Sequence, residues 1–317
     1  MVACSKDPES QEPVVSNVPQ VQSSATYSVI EHKNITYAQG QSRSSWTSST
    51  NQNMDLKLDV FEPDNQLNGR PAVLLIHGGG FIGGSKEALS MVDLARYLAE
   101  RGFVCASINY RLLSDFGTVP DEWTQFALDS LDPISGSRFL SLYPASRDAK
   151  AALRWFYANA SNYAIDTAYI SVGGGSAGAY LSVMLGTTED SDYNTEISTN
   201  DDPTLLGTNL GQKTDPKAIL DFWGSALNTE VLDRLYGINR FGTNDAPILI
   251  MHGTEDSTVL YSEALALETY YQNSGVSHQL ISLQGAGHGP WSATYNGKSL
   301  KELSFDFLVQ ELGLELK

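Results

Sequence analysis

Cysteine is nearly absent: Cys4 and Cys105 are the two in 317 residues, so no disulfide framework or cysteine-rich metal cluster organises this chain. Histidine is scarce too, five in all, and dispersed without the close spacing of a zinc motif. No apolar run approaches the roughly 20 residues a membrane-crossing helix needs, and no internal repeat suggests a solenoid. Basic residues are few, 20 Lys and Arg against 37 Asp and Glu, for a formal net charge of −17. A surface of that sign repels nucleic-acid phosphates and does not dock on anionic lipid by charge alone. Neutral or apolar small molecules are the ligands it favours. With 41% hydrophobic residues the chain can bury one sizeable core, and α/β folds of this length often form a single domain.

What is present is a series of short apolar runs, Pro71–Ile76, Phe103–Ile108, Ala168–Val172, Ala246–Met251 and His278–Leu283. Helical stretches alternate with them, at Ala177–Leu185, Ser262–Asn273 and Ser299–Leu312. This alternation predicts an α/β fold with a mostly parallel sheet covered on both faces.

The chemistry-bearing residues follow the strand ends. Gly174-Gly175-Ser176-Ala177-Gly178 places a serine on a sharp strand-to-helix turn, where Gly174 and Gly178 avoid crowding and Ser176 is exposed as a nucleophile. His77-Gly78-Gly79-Gly80-Phe81 follows the first buried strand, and consecutive glycines there let backbone N–H groups converge on a developing oxyanion. After Ala246–Met251 comes His252-Gly253-Thr254-Glu255-Asp256, in which Asp256 is the expected acid and Glu255 the competitor. After His278–Leu283 comes Gly285-Ala286-Gly287-His288-Gly289; a histidine among glycines is poorly explained as a core residue, so His288 is the candidate base. The order Ser, Asp, His is that of an α/β-hydrolase, not of a chymotrypsin or a subtilisin.

On these motifs, together with Leu56–Pro63, Ser107–Arg111 and Asp148–Trp155, the chain from Tyr27 onward resembles the α/β-hydrolase carboxylesterases related to hormone-sensitive lipase and to the bacterial carbohydrate and feruloyl esterases. The resemblance implies an oxyanion hole made by Gly79, Gly80 and Ala177, a catalytic triad of Ser176, Asp256 and His288, and no metal or organic cofactor. Gly175 stands where hormone-sensitive-lipase relatives usually carry aspartate, and their Asp-Pro-Leu element is absent from the acid loop. Both departures shift the match toward secreted bacterial esterases. The expected reaction is hydrolysis of small to medium acyl esters through an acyl-enzyme, acetyl or feruloyl groups on carbohydrate among them. A serine peptidase of the same fold and a non-catalytic ligand-binding member are the alternatives. The first is disfavoured because no β-propeller gating domain is seen, the second because all three triad residues are kept.

Three regions carry further expectations. Residues 112–143, with Phe116, Trp123, Phe126 and Phe139 scattered among acidic, Gly and Pro residues, read as an insertion that is either a lid or a packed excursion. Residues 187–213 read as a solvated loop bordering the alcohol side of the site. Phe81 and Trp223 are the candidate substrate-binding side chains. At the N-terminus, Met1-Val2-Ala3-Cys4-Ser5 resembles the end of a lipoprotein signal, so residues 1–26 read as a flexible tether and residues 27–317 as the catalytic domain, placed at a bacterial envelope either lipid-anchored through Cys4 or as a periplasmic or extracellular protein. No other membrane contact is expected, and the sequence leaves homo-oligomerisation open.

Overall fold

The computed structural model describes residues 18–317; Cys4 lies outside them. Eight strands form the central sheet: β1 (Val29–Ser42), β2 (Gln52–Pro63), β3 (Arg70–Ile76), β4 (Val104–Ile108), β5 (Ile165–Gly175), β6 (Ile219–Phe222), β7 (Ile248–Gly253) and β8 (His278–Leu283). Across the sheet they run β1-β2-β4-β3-β5-β6-β7-β8. The β1–β2 and β2–β4 pairs are antiparallel; every later pair is parallel. The helices are α1 (Leu89–Ala99), α2 (Asp121–Ser130), α3 (Pro133–Ala158), α4 (Ala177–Thr187), α5 (Leu227–Tyr236), α6 (Tyr261–Ser274) and α7 (Leu300–Glu311). This is the α/β-hydrolase fold.

The period of two along β3 explains its two-sided burial. Val73 and Leu75 pack with Leu94 and Leu98 of α1 and Phe305 and Leu308 of α7, while Ala72, Leu74 and Ile76 pack with Leu153 and Phe156 of α3 and Leu181 and Leu185 of α4. A strand buried on both faces is therefore apolar throughout, and each Leu or Ile so enclosed contributes about 1.5–3 kcal/mol of transfer free energy. Strand carboxyl ends, where α/β folds place their sites, lead into the glycine loop, Ser176, the Asp256 loop and the His288 loop.

A buried ion pair ties the insertion to the sheet. Arg111, just past β4, grips Asp148 of α3 through Nη2 to Oδ1 at 2.7 Å and Nε to Oδ2 at 2.9 Å. Its backbone N–H reaches the same carboxylate at 2.8 Å, and Nη1 donates to the Gln41 carbonyl of β1 at 2.9 Å. Gly40 makes room for the guanidinium, since a Cβ there would sit 2.7 Å from Nε.

Two expectations need correction and a third gains its structure. Residues 18–26 are not tether: Gln20–Val21 pairs in parallel with Glu315–Leu316, and Val21 is fully buried. The polar composition of the N-terminus hid this single apolar anchor. Residues 112–143 are largely helical, comprising α2 and the first turns of α3, which Asp132 caps by accepting from the N–H groups of Ile134 at 3.0 Å and Ser135 at 3.2 Å ahead of Pro133 at the first helical position. Residues 187–213 do not border the cavity beside Ser176. They cover α2 and α3 instead, through Asp202 on Arg147 at 3.2 Å and through buried Tyr193, which meets Trp123 of α2 edge-on and lies tilted against Tyr143 of α3.

Asp148→Asn leaves the buried Arg111 guanidinium without its paired carboxylate, so urea unfolding of the variant is expected to show a loss of about 3–5 kcal/mol.

Candidate active site

β5 ends at Gly175 and α4 starts at Ala177, so Ser176 alone makes the turn. Its backbone lies at φ 53° and ψ −122°, a conformation that costs a non-glycine residue about 1–3 kcal/mol and persists only when its surroundings impose it. They do so here. The Ser176 N–H donates to the Phe222 carbonyl at 2.9 Å, and its own carbonyl accepts from Ala179 at 2.8 Å and Tyr180 at 3.1 Å. A Cβ on Gly178 would fall 2.0 Å from the Ile76 carbonyl oxygen, and one on Gly174 would fall 2.5 Å from that of Gly178. Only glycines allow α4 to cross β3 and β5 this closely.

The three residues expected to act together do meet. His288 Nε2 is 3.0 Å from Ser176 Oγ, and His288 Nδ1 is 2.7 Å from Asp256 Oδ2. The carboxylate partner assigns the proton to Nδ1 and leaves Nε2 as the acceptor for the serine hydroxyl. Asp256 is buried, which raises its pKa, but the His288 hydrogen bond and the N–H groups of Thr258 and Val259, at 2.8 and 3.0 Å, together hold it below the usual carboxylate value. Glu255 is exposed and lacks any bond to His288. His252 lies beneath: its Nε2 donates to the Val259 carbonyl at 2.8 Å, and burial lowers its pKa and keeps it neutral.

The glycine loop folds back on its own histidine. His77 stacks on Tyr110 with centroids 4.4 Å apart, and the Gly79 carbonyl accepts from Ile82 and Gly83, both at 3.1 Å. Among the described residues, the N–H groups of Gly79 and Gly80 donate to nothing. The Ala177 N–H opens α4 and has no intrahelical acceptor. Gly80, Ala177 and Ser176 line one cavity of about 480 Å3; Gly79 sits behind, where a Cβ would meet the Gly83 carbonyl at 2.0 Å.

Phe81 is where expected, in that cavity wall, with Tyr180, Phe126 and Phe139. Phe126 and Phe139 come from the insertion, whose Trp123 is fully buried and stacks on Phe139 at 4.8 Å, so the segment is both anchor and wall. Trp223 is a correction. It is 1% exposed, does not line the cavity, and packs on Trp291 at 4.6 Å and beside the His288 ring at 6.3 Å. Trp291 was not identified from sequence, although the oddity that points to it was: Gly175. A Cβ on Gly175 would sit 2.7 Å from Trp291 Cζ2, so the indole occupies the space a side chain before the serine would fill.

One strand beneath the turn, Asp221 of β6 accepts from the Gly224 N–H at 2.8 Å, while its Oδ2 has no partner. Burial pushes this carboxyl up to about 7.

The BD-FAE family model matches residues 58–122 and 140–271, a span holding the glycine loop, the serine turn and Asp256. The chain belongs to the BD-FAE family. Esterase LipC of Mycobacterium tuberculosis is 27% identical over 252 residues, 73% of this chain and 56% of LipC. The probable carboxylic ester hydrolase LipM of the same organism is 34% identical over 133 residues, 41% of this chain and 25% of LipM. The chain thus spans about half the length of LipC and less of LipM. Among solved structures, a truncated carbohydrate esterase from gut microbiota superposes with a TM-score of 0.62 at 23% identity, covering 93% of this chain and 99% of that one. Propionate-bound esterase 2 of Thermogutta terrifontis gives 0.59 at 22%, covering 86% and 94%. These two share the fold. Residues 123–139, which supply Phe126 and Phe139 to the cavity, fall outside the BD-FAE match.

Two outcomes are expected of this BD-FAE member. Gly175→Ala forces the Trp291 indole to move and lowers stability by about 1–3 kcal/mol in chemical denaturation, and Trp291→Ala in the same chain recovers part of that loss. Asp221 unfolded titrates near its ordinary value of about 4, so between there and pH 7 the native state holds one more proton and stability falls as pH rises through that window. Asp221→Asn removes this contribution: the stability of the variant relative to the parent should rise from pH 4 to pH 7 and level off above it.

Proposed function

We propose that the protein is a serine hydrolase of carboxylic esters. The observation that carries this reading is the continuous hydrogen-bonded line from Asp256 through His288 to Ser176, beside backbone N–H groups left without acceptors. His288 Nε2 takes the Ser176 proton as Oγ attacks the ester carbonyl. The oxygen that becomes anionic is held by the N–H groups of Gly79, Gly80 and Ala177, each donor of this kind being worth about 3–4 kcal/mol in the transition state. Protonated His288 passes its proton to the leaving alcohol, and the acyl group stays on Ser176. Water then enters, gives its proton to His288 Nε2 and attacks the acyl carbon; as the bond to Ser176 Oγ breaks, His288 returns that proton to Oγ and the acid is released. Asp256 remains ionised throughout and stabilises the imidazolium; the low pKa imposed by its amide donors and His288 suits that role.

The substrate reading is esters of small to medium acyl chains, including acetyl or feruloyl groups on carbohydrate. Its supports are the largely apolar walls of the cavity and the likeness to a protein described as a carbohydrate esterase. A 4-nitrophenyl ester series from acetate to palmitate tests it. The expected profile peaks at short chains, Ser176→Ala lowers kcat by about 10^4-fold or more, and Asp256→Asn lowers it by about 10^4-fold. A folded protein inactive on every ester would overturn the assignment.

A further inference from the structure

We propose that Arg138 and Arg234 form a subsite for a singly charged carboxylate carried by the ester substrate, an inference that rests on the esterase reading above. The cavity that holds Ser176 is walled mainly by apolar and aromatic side chains, and the two arginines are the charged residues among those lining it. No acidic residue accompanies them in the wall, in a chain whose 37 acids outnumber its 20 bases. Ion pairing accounts for neither guanidinium fully. Arg138 makes no side-chain hydrogen bond or ion pair among the described residues, and Arg234 spends one nitrogen, Nη2, on Glu230 at 3.2 Å. Arg138 stands on α3 within residues 123–139, the stretch outside the BD-FAE match, so this charge is not part of the matched scaffold.

Arg138 and Arg234 are both exposed at the rim of the cavity, where each guanidinium presents a planar fork of donors that matches a carboxylate. The net charge of −17 works against dianions more than monoanions, which favours a carboxylate over a phosphate. The cavity therefore selects an ester whose acyl or alcohol half ends in a carboxylate.

Two matched pairs test this and tell the halves apart: mono-4-nitrophenyl glutarate against its uncharged glutaramate counterpart, and 4-acetoxybenzoate against 4-acetoxybenzamide. In one pair kcat/KM should favour the anion by about tenfold, carried mostly by KM, as a charge-assisted hydrogen bond is worth. Arg138→Gln should bring that ratio close to one, Arg138→Lys should keep part of it, and Arg234→Gln should reduce it. A ratio near one in both pairs for the parent protein, or a ratio that Arg138→Gln leaves unchanged, overturns the subsite. If the folded protein hydrolyses neither these four esters nor any of the acetate-to-palmitate series, the esterase reading fails separately, and calorimetric titration of butyrate, a monoanion, then judges the subsite: binding lost in Arg138→Gln supports it, and equal heats or no binding in the parent contradict it.

Discussion

The approach of α4 to the ends of β3 and β5 is the constraint on which the site depends. With the Gly178 Cα against the Ile76 carbonyl and Gly174 against Gly178, the chain has one residue in which to pass from strand to helix, and that residue is driven to φ 53°. A left-handed serine at this point carries its side chain clear of both elements. The strain is confined there because the Ser176 N–H and carbonyl are both satisfied, by Phe222 on one side and by Ala179 and Tyr180 on the other. Loosening that crossing would relax the turn and lose the 3.0 Å approach to His288.

Around this turn the protein divides its polar groups by task. Asp256 is surrounded by donors, two amides and an imidazole, and so stays ionised in a buried place. Asp221, a short distance below, is fully buried and accepts from one amide, and is driven toward its neutral form. The same residue type thus serves as a fixed charge and as a buried acid, with depth of burial and the number of hydrogen-bond donors together deciding which. Farther out, the Arg111–Asp148 pair and its bond to the Gln41 carbonyl fix α3, and with α3 the wall that the insertion contributes to the cavity.

Ser176, Asp256, His288 and the glycine loop were legible in the sequence because each lies in a short local pattern following an apolar strand, where the chemistry demands particular residue types at adjacent positions. The strands were legible for the reason that β3 is: burial on both faces removes polar residues. What escaped depends on side-chain direction. Trp123, Phe126 and Phe139 look alike in sequence, yet the first is buried as an anchor while the other two line the cavity. Trp223 was assigned to the pocket from its strand-end position, but its ring turns inward against Trp291. Trp291 itself has no local signature; only the unusual Gly175 hinted that something fills the space before the serine. Val21 was lost within a polar stretch whose average composition concealed it.

The central claim is that Ser176 is an activated nucleophile because His288 and Asp256 make it one. Covalent labelling with a fluorophosphonate followed by peptide mass spectrometry tests it most directly. Modification of the peptide containing Ser176 is expected in the parent protein, with loss of that adduct in a folded His288→Ala variant. An unlabelled Ser176 in the parent, or equal labelling with and without His288, would contradict it.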